Sequence, residues 1–267
     1  MLRPESCRLS GMIKTRVIPL LLLKDGMLKK PLRFTERPRT VANPITIVRV
    51  FESRQVDELI LLDIGCAADK INVNPDIVRM ICEELTVPFT CGGGVRSVET
   101  MSTLIAAGAE KVVINTGAVE TPDLIANGAA KFGRQCIVVS IDAKQTDNRE
   151  YEVYINNGST PTGLEPTAWA QEAQRHGAGE ILINAIDRDG TMDGYDTELI
   201  RSVADAVDIP VIAAGGAAEP ADCARAVLDG HASAVAAGSL YHFRRTTPDM
   251  VKDALAVEDI PVRPPVN

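Results

Sequence analysis

Large rings are scarce in this chain: aromatic residues make up 4% of 267 residues, with one tryptophan. Its interior must therefore be aliphatic, and 45% hydrophobic residues supply a substantial core for one α/β domain. Histidine is scarcer still. His176, His231 and His242 stand far apart, so no metal site is expected, and no cofactor either. The six cysteines (Cys7, Cys66, Cys82, Cys91, Cys136, Cys223) show no C-x-x-C spacing, and several sit in apolar runs. They read as reduced, buried thiols of a cytoplasmic protein. No segment approaches the roughly 20 apolar residues of a membrane span. The run Val17 to Leu23 contains Pro19 and is followed by no small-residue cleavage site, so it reads as a strand and not as part of a signal peptide. A basic surplus is also missing. The formal net charge of −8 excludes a non-specific nucleic-acid binder and leaves small-molecule chemistry.

What is present is alternation. Short β-branched runs near 16–23, 59–64, 87–91, 111–115, 136–142, 180–185, 210–214 and 234–237 predict eight strands, separated by helical patterns. Helix starts are signalled by Asn43-Pro44, Asn74-Pro75, Thr121-Pro122, Glu219-Pro220 and Thr247-Pro248, with Ser97 and Thr197 as further caps. Residues 1–11 have no period and read as a flexible extension. Residues 12–267 then form a single (β/α)₈ barrel. An internal repeat supports this: residues 87–117 map onto 209–239, so that Gly93 meets Gly215, Gly94 meets Gly216 and Gly108 meets Gly230. The chain reads as two fused half-barrels.

Ligands of such barrels sit at the carboxyl ends of the strands, and the loops after strands 7 and 8 often hold a phosphate. Here those loops are Ala214-Gly215-Gly216 and Ala237-Gly238-Ser239, and the repeat supplies a second set, Gly92-Gly93-Gly94 and Asn115-Thr116-Gly117. Duplicated glycine cradles imply a substrate with a phosphate at each end. Between them, the ends of strands 1 and 5 should face each other, where paired carboxylates could act as general acid and base. Aligning Lys24 with Lys144 places Asp142 at one of these positions and Leu22 at the other. Asp25 lies outside the strand with the wrong pleat parity. Asp63 ends strand 2, and Asp187-Arg188-Asp189-Gly190-Thr191 adds two carboxylates near the mouth. At the amino ends of strands stand Arg16, Glu58, Lys111 and Glu180; Arg16, Lys111 and Glu180 share the parity of Leu22, Asn115 and Asn184, and the four would form either a structural plug of paired charges or a gate.

The stretches RVIPLLLLKDG, DELILLDI, FTCGGGV, EKVVINTGAV, VVSIDAK, GEILINAIDRDGTMDGYDTELI, AAGGA and AAGSLYHF closely resemble, in order and spacing, the cyclase subunit of imidazole-glycerol-phosphate synthase. The resemblance covers about residues 12–245. It implies a (β/α)₈ barrel with a glutamine amidotransferase on its floor, whose ammonia crosses the lumen to a two-phosphate ribulosyl substrate. It implies that Arg16, Glu58, Lys111 and Glu180 form the gate and that Lys30 is a substrate-loop lysine. It also matches Gly94, Asn115, Thr116, Gly190, Gly216 and Ser239 to phosphate-site positions, and Asn184 and Asp189 to positions beside the reacting atoms. Two departures stand out: Leu22 replaces the expected strand-1 aspartate, and Met27 to Asn43 is unusually rich in Lys and Arg. Both resemble a paralogue group linked to surface polysaccharides, in which such a barrel supplies ammonia to a separate enzyme that amidates or amidinates a nucleotide sugar.

Overall fold

The computed structural model describes residues 14–35, 38–66 and 72–264, so the extension expected at 1–11, and Cys7 with it, lies outside the described residues. Eight parallel strands pair in chain order and close on themselves. They are β1 (Arg16–Lys24), β2 (Leu59–Asp63), β3 (Phe89–Gly92), β4 (Lys111–Ile114), β5 (Ile137–Gln145), β6 (Glu180–Ala185), β7 (Val211–Ala214) and β8 (Ala234–Ala237). The closing seam pairs β1 with β8, from Arg16 opposite Ala234 to Pro19 opposite Ala237. This is the (β/α)₈ barrel expected from the alternation.

Parallel strands covered on both faces read as nearly continuous apolar runs, and β1 is buried from Val17 to Leu23. Its odd and even positions serve different cores. Val17, Leu21 and Leu23 pack outward against the helices, while Ile18 and Leu20 join Ile60, Val113, Val138, Leu182 and Ile212 in the lumen. Each such fully buried aliphatic side chain contributes roughly 1.5–3 kcal/mol. A buried ion pair fastens the seam from outside: Lys252 Nζ donates to Asp57 Oδ1 at 2.9 Å and to the Gln55 carbonyl at 3.0 Å. The other Asp57 oxygen accepts from the Val17 amide at 2.9 Å.

Helix starts follow the proline signals with two corrections and one addition. Helices α1 (Pro44–Ser53), α2 (Pro75–Cys82), α3 (Val98–Ala106), α7 (Pro220–Leu228) and α8 (Pro248–Val257) begin where expected, and Asn43, Asn74, Ser97 and Thr247 accept from their first-turn amides. Helix α4 (Asp123–Phe132) begins one residue after Pro122, because the short helix Thr116–Glu120 ends immediately before it. Helix α6 (Thr197–Ala204) is capped by Asp196, whose carboxylate accepts from Leu199 N at 3.1 Å; Thr197 is its first helical residue. Helix α5 (Pro166–His176) was not signalled by a small polar cap: Glu165 does the capping.

The larger departure from expectation lies at the mouth. β1 and β5 are both nine residues long, because each continues into an antiparallel hairpin. β1 pairs with Met27–Lys30, which pairs in turn with Arg39–Thr40; β5 pairs with Tyr151–Ile155, which pairs with Thr160–Pro161. The hairpins differ in turn length, yet Leu22 and Asp142 hold like places: Leu22 stands between Leu62 of β2 and Lys29 of its hairpin, Asp142 between Asn184 of β6 and Tyr154 of its hairpin. The half-barrel repeat thus extends to the covers of the mouth, and Leu22 and Asp142 are true counterparts. The cysteine expectation also needs adjustment. Cys66, Cys91 and Cys223 are buried, while Cys82 and Cys136 are half-buried; none of the five is joined in a disulfide among the described residues.

Candidate active site

From floor to mouth, the lumen changes from charged to apolar to polar. At the floor, Arg16 Nη1 lies 2.6 Å from Glu58 Oε2, and Arg16 Nη2 lies 3.2 Å from Glu180 Oε2. Lys111 Nζ completes the ring at 3.0 Å from both Glu58 Oε2 and Glu180 Oε1. Glu58 is wholly buried, and its second oxygen accepts from Lys111 Nζ at 3.1 Å and from the hydroxyl of Thr90, buried on β3, at 2.6 Å; Thr90 is a member of the ring that no sequence pattern announced. The four charges foreseen at the strand starts are therefore one closed network with no net charge, as burial requires. Above it, the apolar lumen residues rise to Leu22, Asn115, Asp142 and Asn184, all lining one cavity of about 860 Å³ at the mouth.

Asp142 is the last buried residue on the inward face of β5, where burial pushes its carboxyl up to about 7 and the nearby Asp189 carboxylate adds to the rise. Asn184 and Asn115 pull it back; Asn115 Nδ2 donates to Asp142 Oδ2 at 3.0 Å. A carboxyl titrating near neutrality can both give and take a proton. Leu22, on the counterpart strand, presents only methyl groups to the same cavity. The remaining carboxylates divide by position. Asp63 and Asp189 line the cavity, whereas Asp187 accepts from the Gln145 amide at 2.9 Å and pins the loop, and Asp25 is exposed in the hairpin turn with φ 54°. Burial raises the Asp63 pKa above the usual carboxylate range.

The two glycine cradles are in place but unlike. Gly93, Gly94, Asn115, Thr116 and Gly117 border the large cavity. Gly93 has φ +136°, and a Cβ there would stand 2.6 Å from the Asp63 carbonyl oxygen, so only glycine fits. Gly190, Gly215, Gly216, Gly238 and Ser239 border a separate pocket of about 10 Å³. Lys30, from the first hairpin, fills this second cradle: its buried Nζ pairs with Asp189 Oδ1 at 3.4 Å. The hairpin is held by a hydrogen bond from Arg33 N to the Asp189 carbonyl at 2.8 Å, and its Pro31 carbonyl lies against Gly190. The second hairpin covers the first cradle, with the Asn156 amide donating to Thr116 Oγ1 at 3.0 Å. Three buried polar atoms around the mouth, Asn184 Oδ1, Asp189 Oδ2 and Ser239 Oγ, have no hydrogen-bond partner among the described residues. Buried polar atoms of this kind call for a partner, such as ordered water or a polar ligand.

A family model described as histidine biosynthesis protein matches residues 16–247, which takes in all eight strands, both cradles and the floor ring. The chain belongs to this family. Within the histidine biosynthesis proteins, the resemblance to the cyclase subunit accords with the barrel and with the position of Asp142. Among the described residues, no group of three or more His, Cys, Asp and Glu side chains could hold a metal ion, and no helix is long and apolar enough to cross a membrane.

Proposed function

We propose that this family member is a barrel for ammonia transfer. In this reading a glutamine amidotransferase docks on the floor in the cytoplasm, and ammonia passes the Arg16, Glu58, Lys111 and Glu180 ring. It then crosses the apolar lumen to a phosphorylated ligand at the mouth, or to a separate enzyme that amidates or amidinates a nucleotide sugar for surface polysaccharide. The observation that carries the reading is the pairing of a complete floor ring with a methyl-lined Leu22 where the opposite strand offers Asp142. An uncharged molecule the size of ammonia has a use for the floor and the lumen whether or not both strand-end acids are present. Lys111 touches both glutamates, so its displacement would open the ring.

A second reading is favoured by Asp142 itself. A buried carboxyl poised at about 7, with Asn115 beside it and Asp189 nearby, is equipped for proton transfer in cyclisation of a two-phosphate ribulosyl substrate to imidazole glycerol phosphate and the aminoimidazole carboxamide ribotide. The deciding experiment is ammonium-driven cyclisation by the purified chain, run beside Leu22→Asp. The proposal expects an inert wild type and a gain on restoring the acid, since one member of an acid/base pair is worth about 10²- to 10⁴-fold. Brisk turnover by wild type would instead establish the cyclase.

A further inference from the structure

Where Leu22 takes away an acid, it completes an apolar wall. Leu22 stands in register with Leu62 on β2, and both line the mouth cavity. Leu20 lies one inward step below Leu22, and Ile64 one inward step above Leu62, its amide carrying the ladder on to the Leu23 carbonyl at 2.8 Å. Phe34 of the first hairpin borders the same space, its ring against the second hairpin: a Cβ on Gly158 would lie 2.9 Å from Phe34 Cδ2. The polar groups on this side are engaged or set apart. Asp63 has the other pleat parity, and its Oδ1 accepts from the Gly65 amide at 2.9 Å; Lys24 lies one inward step above Leu22, at the end of β1. Across the cavity, β5 and β6 with the end of β4 supply Asn115, Ser140, Asp142 and Asn184, and Asn184 Oδ1 is one of the buried acceptors without a partner among the described residues.

The mouth therefore has methyl groups on one wall and hydrogen-bonding groups on the other. On the reading of the mouth as a site for phosphorylated ligands, on which this rests, we infer that Leu22 selects among them. It admits a phosphorylated sugar that turns a deoxy or methyl edge to β1 and β2 and its hydrogen-bonding edge to Asp142 and Asn184. A hydroxyl pressed against the apolar wall gives up its water and finds no donor or acceptor in return, whereas a methylene or methyl group there buries apolar surface. A carboxylate at position 22 would reverse the choice, because it accepts from a sugar hydroxyl. Leu22 is thus a specificity-determining residue as well as the place of a missing acid.

Calorimetric titration of the full chain with matched sugar phosphates tests the wall: ribose 5-phosphate against 2-deoxyribose 5-phosphate, and galactose 1-phosphate against its 6-deoxy counterpart. Wild type is expected to bind the deoxy member of at least one pair about 10- to 100-fold more tightly. Leu22→Asn keeps the size of the side chain and supplies a hydrogen-bonding group, so the preference should vanish or reverse. Leu22→Met keeps the wall apolar and should retain it. The readout is the ratio within a pair, which a general loosening of the fold does not imitate. Equal binding of both members of each pair by wild type, or a preference that survives Leu22→Asn, would overturn the selecting role of Leu22 while leaving the proposed function standing. Failure of every one of these sugar phosphates to bind would remove the phosphorylated-ligand reading itself.

Discussion

Asp142→Asn should make the protein more stable, and only above acidic pH. The carboxyl is buried on β5, and its pKa rises from 3.8 to about 7. The folded state thus holds the proton more tightly than the unfolded chain does. Its stabilising contribution is complete below pH 3.8 and is lost as the pH climbs through about 7. At 1.36 kcal/mol per pKa unit, the full loss is roughly 4 kcal/mol. An asparagine retains the shape and cannot ionise, so the variant should match wild type near pH 4 and exceed it by about 2–4 kcal/mol at pH 8. That corresponds to roughly 5–12 °C in melting temperature for a chain of this size. Urea denaturation of both proteins from pH 4 to 8.5 gives the difference directly, and other titrating groups cancel in the subtraction. Parallel stability curves for the two proteins would refute the buried, proton-holding Asp142. A variant less stable at pH 8 would show that the ionised carboxylate is a structural anchor.

Two further outcomes follow from the charged networks. Glu58→Ala removes the one fully buried acid of the floor ring and leaves Arg16 and Lys111 sharing Glu180, a loss of about 3–5 kcal/mol in denaturant unfolding. In a reconstituted complex, Glu58→Ala and Lys111→Ala should hydrolyse glutamine without delivering its nitrogen; normal coupling in both would reject the gate. At the seam, Lys252→Met strands a buried Asp57 carboxylate and should cost a similar amount, with much of it recovered when Asp57→Asn is added. Equal stability of the single and double variants would contradict that pairing.

The barrel was legible because its signals are redundant: alternation, proline at helix starts and an internal repeat all agree, and side-chain parity alone placed Arg16, Lys111 and Glu180 in the lumen. The hairpins at the mouth were less so. Lys24-Asp25-Gly26-Met27 is a recognisable hairpin turn, yet MLKK has neither the β-branched content nor the length of a strand, and it is ordered by pairing with β1. The Lys30 and Asp189 contact spans 159 positions in the chain, and no local pattern could foretell it. Thr90 was invisible for another reason: a hydroxyl in an apolar strand becomes informative only once the buried carboxylate beside it is known.

The floor ring has a consequence for how the two halves of the chain recognise one another. The first half contributes Arg16, Glu58 and Lys111, the second Glu180 alone. Two copies of the first half would bury surplus positive charge, and two copies of the second would bury repelling acids without a counterion. Only unlike halves cancel. A barrel built on a repeated plan thus carries an asymmetry of charge at its base, and a neutral floor takes one copy of each half.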